Sequence, residues 1–588
     1  MRNVVVILNI EAMADAAWLC NTLGDYEIFL FDISLGDPAT AAQLKNVKLF
    51  TQIAGPAYHA MDREAHAAAL TLERELDAVL RAAGSNVSVV GWQHLHFYYF
   101  FMMRHWYPAL WRLVGEQLRG RHVHVLINDN PANYYFDSFV PSLSLVAYLQ
   151  RAGIPFTAYD YGAKGPPVYK VPDIHDTAPA RFSGSLLTHL PTCVHDYEHF
   201  GREIRAAGMP WVDLESPYWN VPLEPDLRLG LTTLERGIER LDTATVAHID
   251  STAQVLRDRL PEFLAPHFEL ANYRLRQVEH VVQRYRSQFV TLAALQRYFC
   301  ENQPAKLVLG EHDTGFLGPL IAFADQRALP VLLLPHSKII GDIEFKTDGM
   351  LALTHPMQGG PVHNVDGRNV RHRPILFPER FAGTTTLGGE LRTICLLLNA
   401  PSLNGIPDVP SDAYLDGIRR IVTWCQEHGV IVKIRCRGGY RIFDLLTLYL
   451  GADAGALARW MDEPLEQHAR DCDLCLMYEG PTTGAIVFLR NSIPLLNPTV
   501  SVQSKKCVAM LHADLVVAES VDSTLQRLES FRTEPLAFDA FRIEQFQAYV
   551  SRYRDARPLR TYLAEGSMPT ARGGAAESVA ASIEEMAL

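Results

Sequence analysis

The sequence predicts an α/β protein: two Rossmann-like, doubly wound domains facing a cleft, with a largely helical insertion in the first. Three observations carry that expectation. Short runs of β-branched and aliphatic residues recur without polar alternation, as in strands buried on both faces of a parallel sheet. Amphipathic helical stretches separate them, which is the β-α-β alternation of a doubly wound fold. The length of 588 residues also exceeds what one hydrophobic core organises, so two or more domains are expected.

The first run is residues 3–9, followed by a helical stretch at 11–22 and a second run at 27–32. Further strands are expected at 87–91, 122–127 and 155–159, so residues 1–162 form the first part of an N-terminal domain. Residues 163–225 are rich in Pro, Gly and Tyr and read as loops or an inserted lobe. Residues 228–300 read as almost wholly helical, which makes 163–303 the insertion. Alternation resumes with a strand at 306–310, a helix at 315–327 and a strand at 330–335, and 304–385 completes the N-terminal domain. A Gly/Thr-rich linker at 381–391 leads into a second domain over 386–520. Its strands are expected at 393–398, 430–435, 473–477, 493–496 and 514–517, with helices at 412–428, 442–450, 464–471, 482–490 and 502–511. Residues 521–565 read as terminal helices, and the Ala-, Gly-, Ser- and Glu-rich tail 566–588 as disordered.

Composition narrows the function classes. A formal charge of −12 disfavours non-specific nucleic-acid binding, which needs a basic surface. The nine cysteines are scattered and odd in number, so they form no disulfide framework and fit a reducing compartment. Cys472 and Cys475 form a C-x-x-C, but no second pair lies at zinc-like spacing. They read as the approach to a buried strand, and no metal is assigned. Glu11 and Asp15 follow the first apolar run where a signal peptide would stay apolar. No run reaches the ~18 apolar residues of a membrane span. The expected location is therefore cytoplasmic. The aromatic segment 97–113, broken by Arg104, His105 and Pro108, reads as a core helix. Its alternative is an interfacial helix that holds the protein at the inner membrane face, near a lipid-linked acceptor.

In open α/β sheets ligands lie beyond the carboxyl ends of the strands, so the residues after each strand are the candidates. Strand 306–310 is followed by Glu311, His312 and Asp313. A carboxylate or imidazole there suits a general base for a hydroxyl; Asp313 or Thr314 equally suits a helix cap. His336 follows strand 330–335, and His355-Pro356 follows the run from Met350. Asn399 and Ser402 follow strand 393–398. Arg435 and Arg437 flank a Gly438-Gly439 loop, where paired guanidinium donors and an open backbone suit a phosphate; a surface charge cluster is the plainer reading. Gly480, Thr482 and Thr483 precede a helix, as an anion site or as a plain cap. Asn128-Asp129-Asn130 is the nearest thing to a metal-binding D-x-D and reads more simply as a turn. No P-loop lysine motif, G-x-G-x-x-G or G-x-S-x-G is present, so ATPase, dinucleotide and serine-hydrolase readings lose support.

The order of these elements over residues 304–517 resembles bacterial surface-polysaccharide glycosyltransferases of GT-B fold, which build capsule and lipopolysaccharide. Leu334-Pro335-His336-Ser337 is similar to the family's strand ending in Gln-His-Gly. Leu351–Pro356 is similar to its sugar-site strand, and Arg373-Pro374 with Pro378–Phe381 to its Pro-Arg-Phe exit. Lys433–Cys436 stands where relatives have Lys-x-His-Pro, Gly480–Thr483 where they have Gly-Pro-Ser/Thr-Ser/Thr, and Asn491–Pro494 where they have a small residue, Lys and Pro. Val487 stands where many relatives carry a ribose-binding Glu. That difference favours a CMP-linked donor of Kdo or sialic type over a UDP-sugar.

The resemblance implies transfer of a sugar from a nucleotide sugar to a surface glycan or lipid-linked glycan, with the nucleotide on the second domain and the acceptor on the first. It implies that Thr482, Thr483 and the amides of 480–485 hold phosphate. Arg435 or Arg437 would offset leaving-group charge, His355 would touch phosphate or base, and Asp313 would act as base, with Glu311 and His312 as alternates. No metal or cofactor beyond the nucleotide-sugar substrate is required. Two other readings stay open: a non-hydrolysing nucleotide-sugar epimerase, against which the large insertion argues, and a non-catalytic scaffold in glycan assembly, which the departures from the family pattern favour.

Overall fold

A computed structural model describes residues 2–7, 13–30, 47–49, 56–127, 141–160, 168–190, 197–216, 223–264, 271–311, 315–335, 343, 345, 349–377, 389–399, 402–403, 406–407, 409, 411–436, 463–480, 484–500, 515–516 and 518–565. The chain is α/β on doubly wound parallel sheets, as expected, but it forms three such sheets.

The first unit comprises β1 (Asn3–Ile7), α1 (Met13–Leu23), β2 (Tyr26–Leu30), β3 (Val47–Leu49), α2 (Pro56–Ala82), α3 (His94–Leu118), β4 (His122–Ile127), α4 (Pro141–Arg151) and β5 (Phe156–Asp160). Its strands lie in the order β3-β2-β1-β4-β5, all parallel. The strand expected at 87–91 does not form. The Val89 amide donates to Asp77 Oδ1 at 2.8 Å, and those of Val87 and Val90 to Ser85 and Ser88. Side chains there replace a ladder.

The second unit contains β6 (Lys170–Pro172), β7 (Leu186–His189), α5 (Tyr197–Ala206), β8 (Trp211–Leu214), β9 (Leu227–Leu229), β10 (Leu231–Thr233), α6 (Leu234–Ile238), α7 (Thr243–Leu264) and α8 (Ala271–Tyr298). It continues through β11 (Lys306–Gly310), α9 (Leu317–Gln326), β12 (Val331–Leu334), β13 (Met350–Thr354), β14 (Val362–His363) and β15 (Asn369–Pro374). Eight strands share one sheet in the order β14-β15-β13-β12-β11-β7-β8-β9. From β9 to β13 this is the 3-2-1-4-5-6 order of a dinucleotide-type fold.

Residues 304–385 therefore do not complete the sheet of residues 1–162. β11 pairs with β7, inside the expected insertion, in the register Leu307↔Leu187. The expected insertion boundary at 163–303 is corrected accordingly: its first half supplies strands, and its second half the long helices α7 and α8.

The third unit contains β16 (Thr393–Leu398), β17 (Ser402–Leu403), β18 (Ile406–Pro407), α10 (Ser411–Glu427), β19 (Ile431–Cys436), α11 (Leu465–Asp471), β20 (Leu474–Tyr478), α12 (Gly484–Arg490), β21 (Leu495–Thr499) and β22 (Ala518–Ser520). The sheet order is β19-β16-β20-β21-β22, or 2-1-3-4-5, and every pairing is parallel. The third unit is the second Rossmann-like domain the sequence predicts; the expected first one, residues 1–162 with 304–385, divides between two separate sheets. The expected helices at 442–450 and 502–511, the tail and most of the linker lie outside the described residues.

Unalternating strands bury both faces, as the sequence implied. In β1, Val4 and Val6 enter one core with α2, α3, α8 and β11, while Val5 enters another with β16 and α10. In β16, Ile394, Leu396 and Leu398 face α10, and Cys395 and Leu397 face the opposite core. Five aromatics of the 97–113 segment (Phe97, Tyr98, Phe100, Phe101 and Trp111) are buried in the first core. No helix of the described residues is long and apolar enough to cross a membrane.

After β22 the chain forms α13 (Val521–Thr533) and α14 (Pro535–Ser551), then returns to the second unit as α15 (Leu559–Ala564). Leu559, Tyr562 and Leu563 join the core beneath β7, β11 and β12. The Lys306 ammonium, 6% exposed, donates to the carbonyls of Tyr562, Leu563 and Glu565 at 2.8, 3.0 and 3.0 Å. It thereby satisfies the orphan carbonyls at the end of α15. Lys306→Met keeps the length and removes the donor. It is expected to cost about 2–4 kcal/mol, because charge-assisted bonds are lost and buried carbonyls are stranded. Urea unfolding measures this, and limited proteolysis should then cut near residues 552–565.

Candidate functional site

A doubly wound sheet reverses its strand order at one point, where the loops beyond the carboxyl ends part and leave a crevice. In the third unit that point lies between β16 and β20; in the second it lies between β7 and β11.

At the first of these, the sequence-predicted Asn399 and Gly480 are brought together. The Asn399 amide donates to Tyr478 O at 3.1 Å, and its Nδ2 to Glu479 O at 3.4 Å. Tyr414 donates to Asn399 O at 2.6 Å, and Tyr478 to Tyr414 O at 2.7 Å, so the turn is braced from below. The chain leaves β20 through two left-handed residues, Glu479 at φ 63° and Gly480 at φ 116°. Glycine takes this conformation freely, whereas Glu479 stores strain. Its buried carboxylate is held by the Val500 amide. Gly480 N donates to Asn497 Oδ1 at 3.2 Å.

Asn497 is 0% and Thr499 1% exposed at the carboxyl end of β21. Among the described residues, Asn497 Nδ2 and Thr499 Oγ1 have no hydrogen-bond partner. Buried polar groups are nearly always paired, so two orphans beside a strained turn mark a place built to receive polar atoms. The sequence reading missed Glu479, Asn497 and Thr499. Their signal was weak: Asn497-Pro498-Thr499 reads as a turn.

The other predicted donor residues are placed differently. Ser402 pairs with Pro407 in the β17–β18 hairpin, and its side chain lies outside the described residues. Arg435 ends β19 opposite Leu397. It lies on the same sheet face as Cys395, whose thiol feels its charge. His355 is corrected outright as a donor contact. It is fully buried, Nδ1 accepts from Met357 N at 3.0 Å, and Nε2 bonds Tyr553 OH at 2.9 Å. Because Nδ1 accepts, Nε2 carries the proton and donates to Tyr553. His355 ties β13 to the returning chain. His312, Asp313, His336, Arg437, Thr482 and Thr483 lie outside the described residues.

At the second crevice, Glu311 follows β11 with its amide on Leu334 O at 2.9 Å. The far side of that loop is pinned by Gln288, whose Nε2 donates to Gly315 O at 3.2 Å and Trp92 O at 3.1 Å. Gln93 Nε2 donates to Gln288 Oε1. His189 ends β7, fully buried, donating Nδ1–H to Leu214 O at 3.0 Å. Burial lowers its pKa to about 4, so it stays neutral and joins β7 to β8.

A buried polar chain runs on from Gln93. Its amide donates to Glu73 Oε1 at 2.9 Å, and Glu73 Oε2 meets His94 Nδ1 at 3.2 Å. His94 Nε2 meets His66 Nδ1 at 3.0 Å, and His66 Nε2 lies 3.9 Å from Asp62 Oδ1. With Glu73 ionised, His94 donates from Nδ1 and accepts from His66 at Nε2. Two carboxylates and two imidazoles are thus packed together between α2 and α3. Sequence reading missed it because Asp62, His66 and Glu73 come from the facing helix α2.

Gly318 opens α9 against Trp92: a Cβ there would lie 2.6 Å from Trp92 Cδ1. Gly318→Ala is expected to displace the indole, at about 1–3 kcal/mol for overpacking, and to loosen the Gln288 clamp. Differential unfolding and Trp fluorescence check both.

Among the described residues, the metal-ligating side chains that gather are Cys395, His468 and Cys472. They lie below the strand ends, apart from either crevice.

No family model and no curated protein matches the chain. Solved structures similar to it include the glycosyltransferase SnogD from Streptomyces nogalater, at 12% identity and TM-score 0.33, covering 64% of this chain and 98% of that one. The spinosyn rhamnosyltransferase SpnG is similar at 14% identity and TM-score 0.32, covering 64% and 98%. MurG of Acinetobacter baumannii is similar at 10% identity and TM-score 0.33, covering 64% and 97%. The fold assignment itself stands on the strand orders and the two-faced burial of the strands.

Proposed function

We propose that the chain is a glycosyltransferase that moves a sugar from a nucleotide-activated donor to a hydroxyl of a surface glycan or lipid-linked glycan. The observation that carries this reading is the crevice of the third unit. There Asn399, the Glu479–Gly480 turn and the orphaned Asn497 Nδ2 and Thr499 Oγ1 gather at one strand-order reversal. Neutral amide and hydroxyl groups of this kind suit the ribose, base or diphosphate edge of a nucleotide. Gly480, Thr482 and Thr483 would face the phosphate, and Arg435 or Arg437 would offset the charge of the leaving nucleotide. Glu311 lies at the reversal of the second unit; His312 and Asp313 follow it in sequence, and Asp313 would be the base that accepts the acceptor's proton.

The donor proposed is a CMP-linked acidic sugar of Kdo or sialic type. The test is a thermal-shift screen with CMP, UDP, GDP and dTDP, followed by transfer assays with the matching donors. A ligand at 100 times its Kd stabilises the fold by about 2.7 kcal/mol. A CMP shift that Asn497→Leu abolishes supports the reading. No shift with any nucleotide would overturn it, and a shift with UDP alone would overturn the CMP assignment.

A further inference from the structure

The geometry points to a structural zinc site in the third unit, formed by Cys395, His468, Cys472 and Cys475, which we propose binds one Zn²⁺ per chain. Its parts come from three elements. Cys395 lies mid-strand in β16. Cys475 is its direct partner across the parallel register of β20, so both thiols project from the same face of the sheet. Cys472 caps the end of α11, and His468 lies one turn earlier on that helix. The spacing His-x₃-Cys-x₂-Cys brings the three local groups together, and the sheet delivers the fourth.

The distances suit a metal. The ligand atoms of Cys395, His468 and Cys472 all lie within 4.8 Å of one another, and Cys395 Sγ is 3.8 Å from His468 Nδ1. Bond lengths of about 2.3 Å to sulfur and 2.0–2.1 Å to nitrogen put the edges of a tetrahedron at roughly 3.5–3.8 Å. The Cys475 thiol contacts that of Cys395 but lies outside the group of three, so it would turn in as the fourth ligand when the metal binds. All four residues are buried: Cys395, His468 and Cys475 at 0% exposure and Cys472 at 4%. Three soft thiolates and one imidazole would make a closed structural centre.

Bound Zn²⁺ would displace three thiol protons and leave a complex of net charge −1. The guanidinium of Arg435 bears on Cys395. Lys433, paired with Cys395 in β19, lies 3.2 Å from Asp471 Oδ2 beside the same helix. The cationic surroundings thus suit an anionic centre. Bound zinc would clamp α11 to the two central strands, fixing the sheet from which the nucleotide crevice projects. The site stands independently of the proposed activity.

The test uses the full chain, expressed with supplemental zinc and purified without a metal-affinity tag. Elemental analysis is expected to find one zinc per chain. The zinc should resist EDTA in the native state and be released by a mercurial thiol reagent, with a fall in Tm. Cobalt in place of zinc is expected to give the visible bands of a tetrahedral centre and a thiolate charge-transfer band. Cys472→Ser should reduce bound metal at least tenfold, and His468→Cys should restore a four-sulfur centre. Cys300→Ser, at an exposed cysteine outside the set, should leave metal content unchanged. A folded wild-type chain that holds neither zinc nor cobalt would overturn the site, even if the variants fail to fold. So would a Cys395–Cys472 disulfide found by mass spectrometry.

Discussion

Asp313→Asn is expected to lower turnover by about 10²–10⁴-fold, the range typical of losing a positioned general base, while leaving nucleotide binding intact. The two effects separate because the proposed base and the proposed nucleotide crevice belong to different sheets. Asp313 stands in sequence between Glu311, whose N donates to Leu334 O at 2.9 Å, and Gly315, whose O accepts from Gln288 at 3.2 Å. A base must sit within hydrogen-bond reach of the proton it takes, and a loop pinned at both ends can supply that. The amide of Asn keeps size and capping ability but cannot accept the proton. Steady-state transfer assays beside nucleotide titrations measure both quantities. Near-normal turnover would remove Asp313 from the mechanism. A comparable loss in Glu311→Gln or His312→Ala alone would transfer the role to that residue.

The fold is also expected to lose roughly 3 kcal/mol between pH 7 and pH 5 from His189, His280 and Asp213 together. Burial lowers the pKa of His96 well below its ordinary 6.5, that of His189 to about 4 and that of His280 to about 3. Arg284 beside His96 and His280 adds to the effect. Each group is depressed in the folded state, so the unfolded chain takes up the proton first. Its contribution is complete above pH 6.5 and is lost as pH falls toward the folded value. At pH 5 His189 and His280 each cost about 2 kcal/mol, and His96 acts in the same direction.

Asp213 acts in the opposite sense. Burial raises its pKa to about 6 against the bond from Thr188 and the charge of Arg228. The folded state therefore holds its proton more tightly, returning about 1 kcal/mol at pH 5. The net loss is a sizeable fraction of the stability of many domains. Urea midpoints at pH 7, 6 and 5 measure it, and His280→Gln should flatten the slope by about one proton. A flat profile would show these histidines charging within the fold.

Much of this architecture was legible because strands buried on both faces write themselves as unbroken apolar runs. β1, β11 and β16 are such runs, and their neighbouring side chains enter different cores. The strand-end rule then singled out Asn399 and Gly480, and the structure sets Asn399 against Glu479, the residue before Gly480. β7 and β8 escaped it, because four-residue strands set among Pro, Gly and Tyr carry too little pattern to separate from loop. The assignment of residues 304–385 to the N-terminal sheet failed for a related reason. Propensity says that a strand forms, and the partner it pairs with is a tertiary choice.

What the sequence determined by itself was local: the α/β class, the second Rossmann-like unit from residue 393, the terminal helices and the loops where a ligand would lie. The tertiary structure decided whatever depends on residues far apart in the chain. His355 became a tie because Tyr553 arrives 198 residues later. Gln93 joined the 311–315 loop through Gln288, 195 residues away. Cys472 and Cys475 read as the approach to a buried strand, and only the β16–β20 register sets Cys395 beside them while the turn of α11 adds His468. A tetrahedral site needs four atoms at one point in space, and chain spacing alone specifies that only when all four are neighbours in sequence.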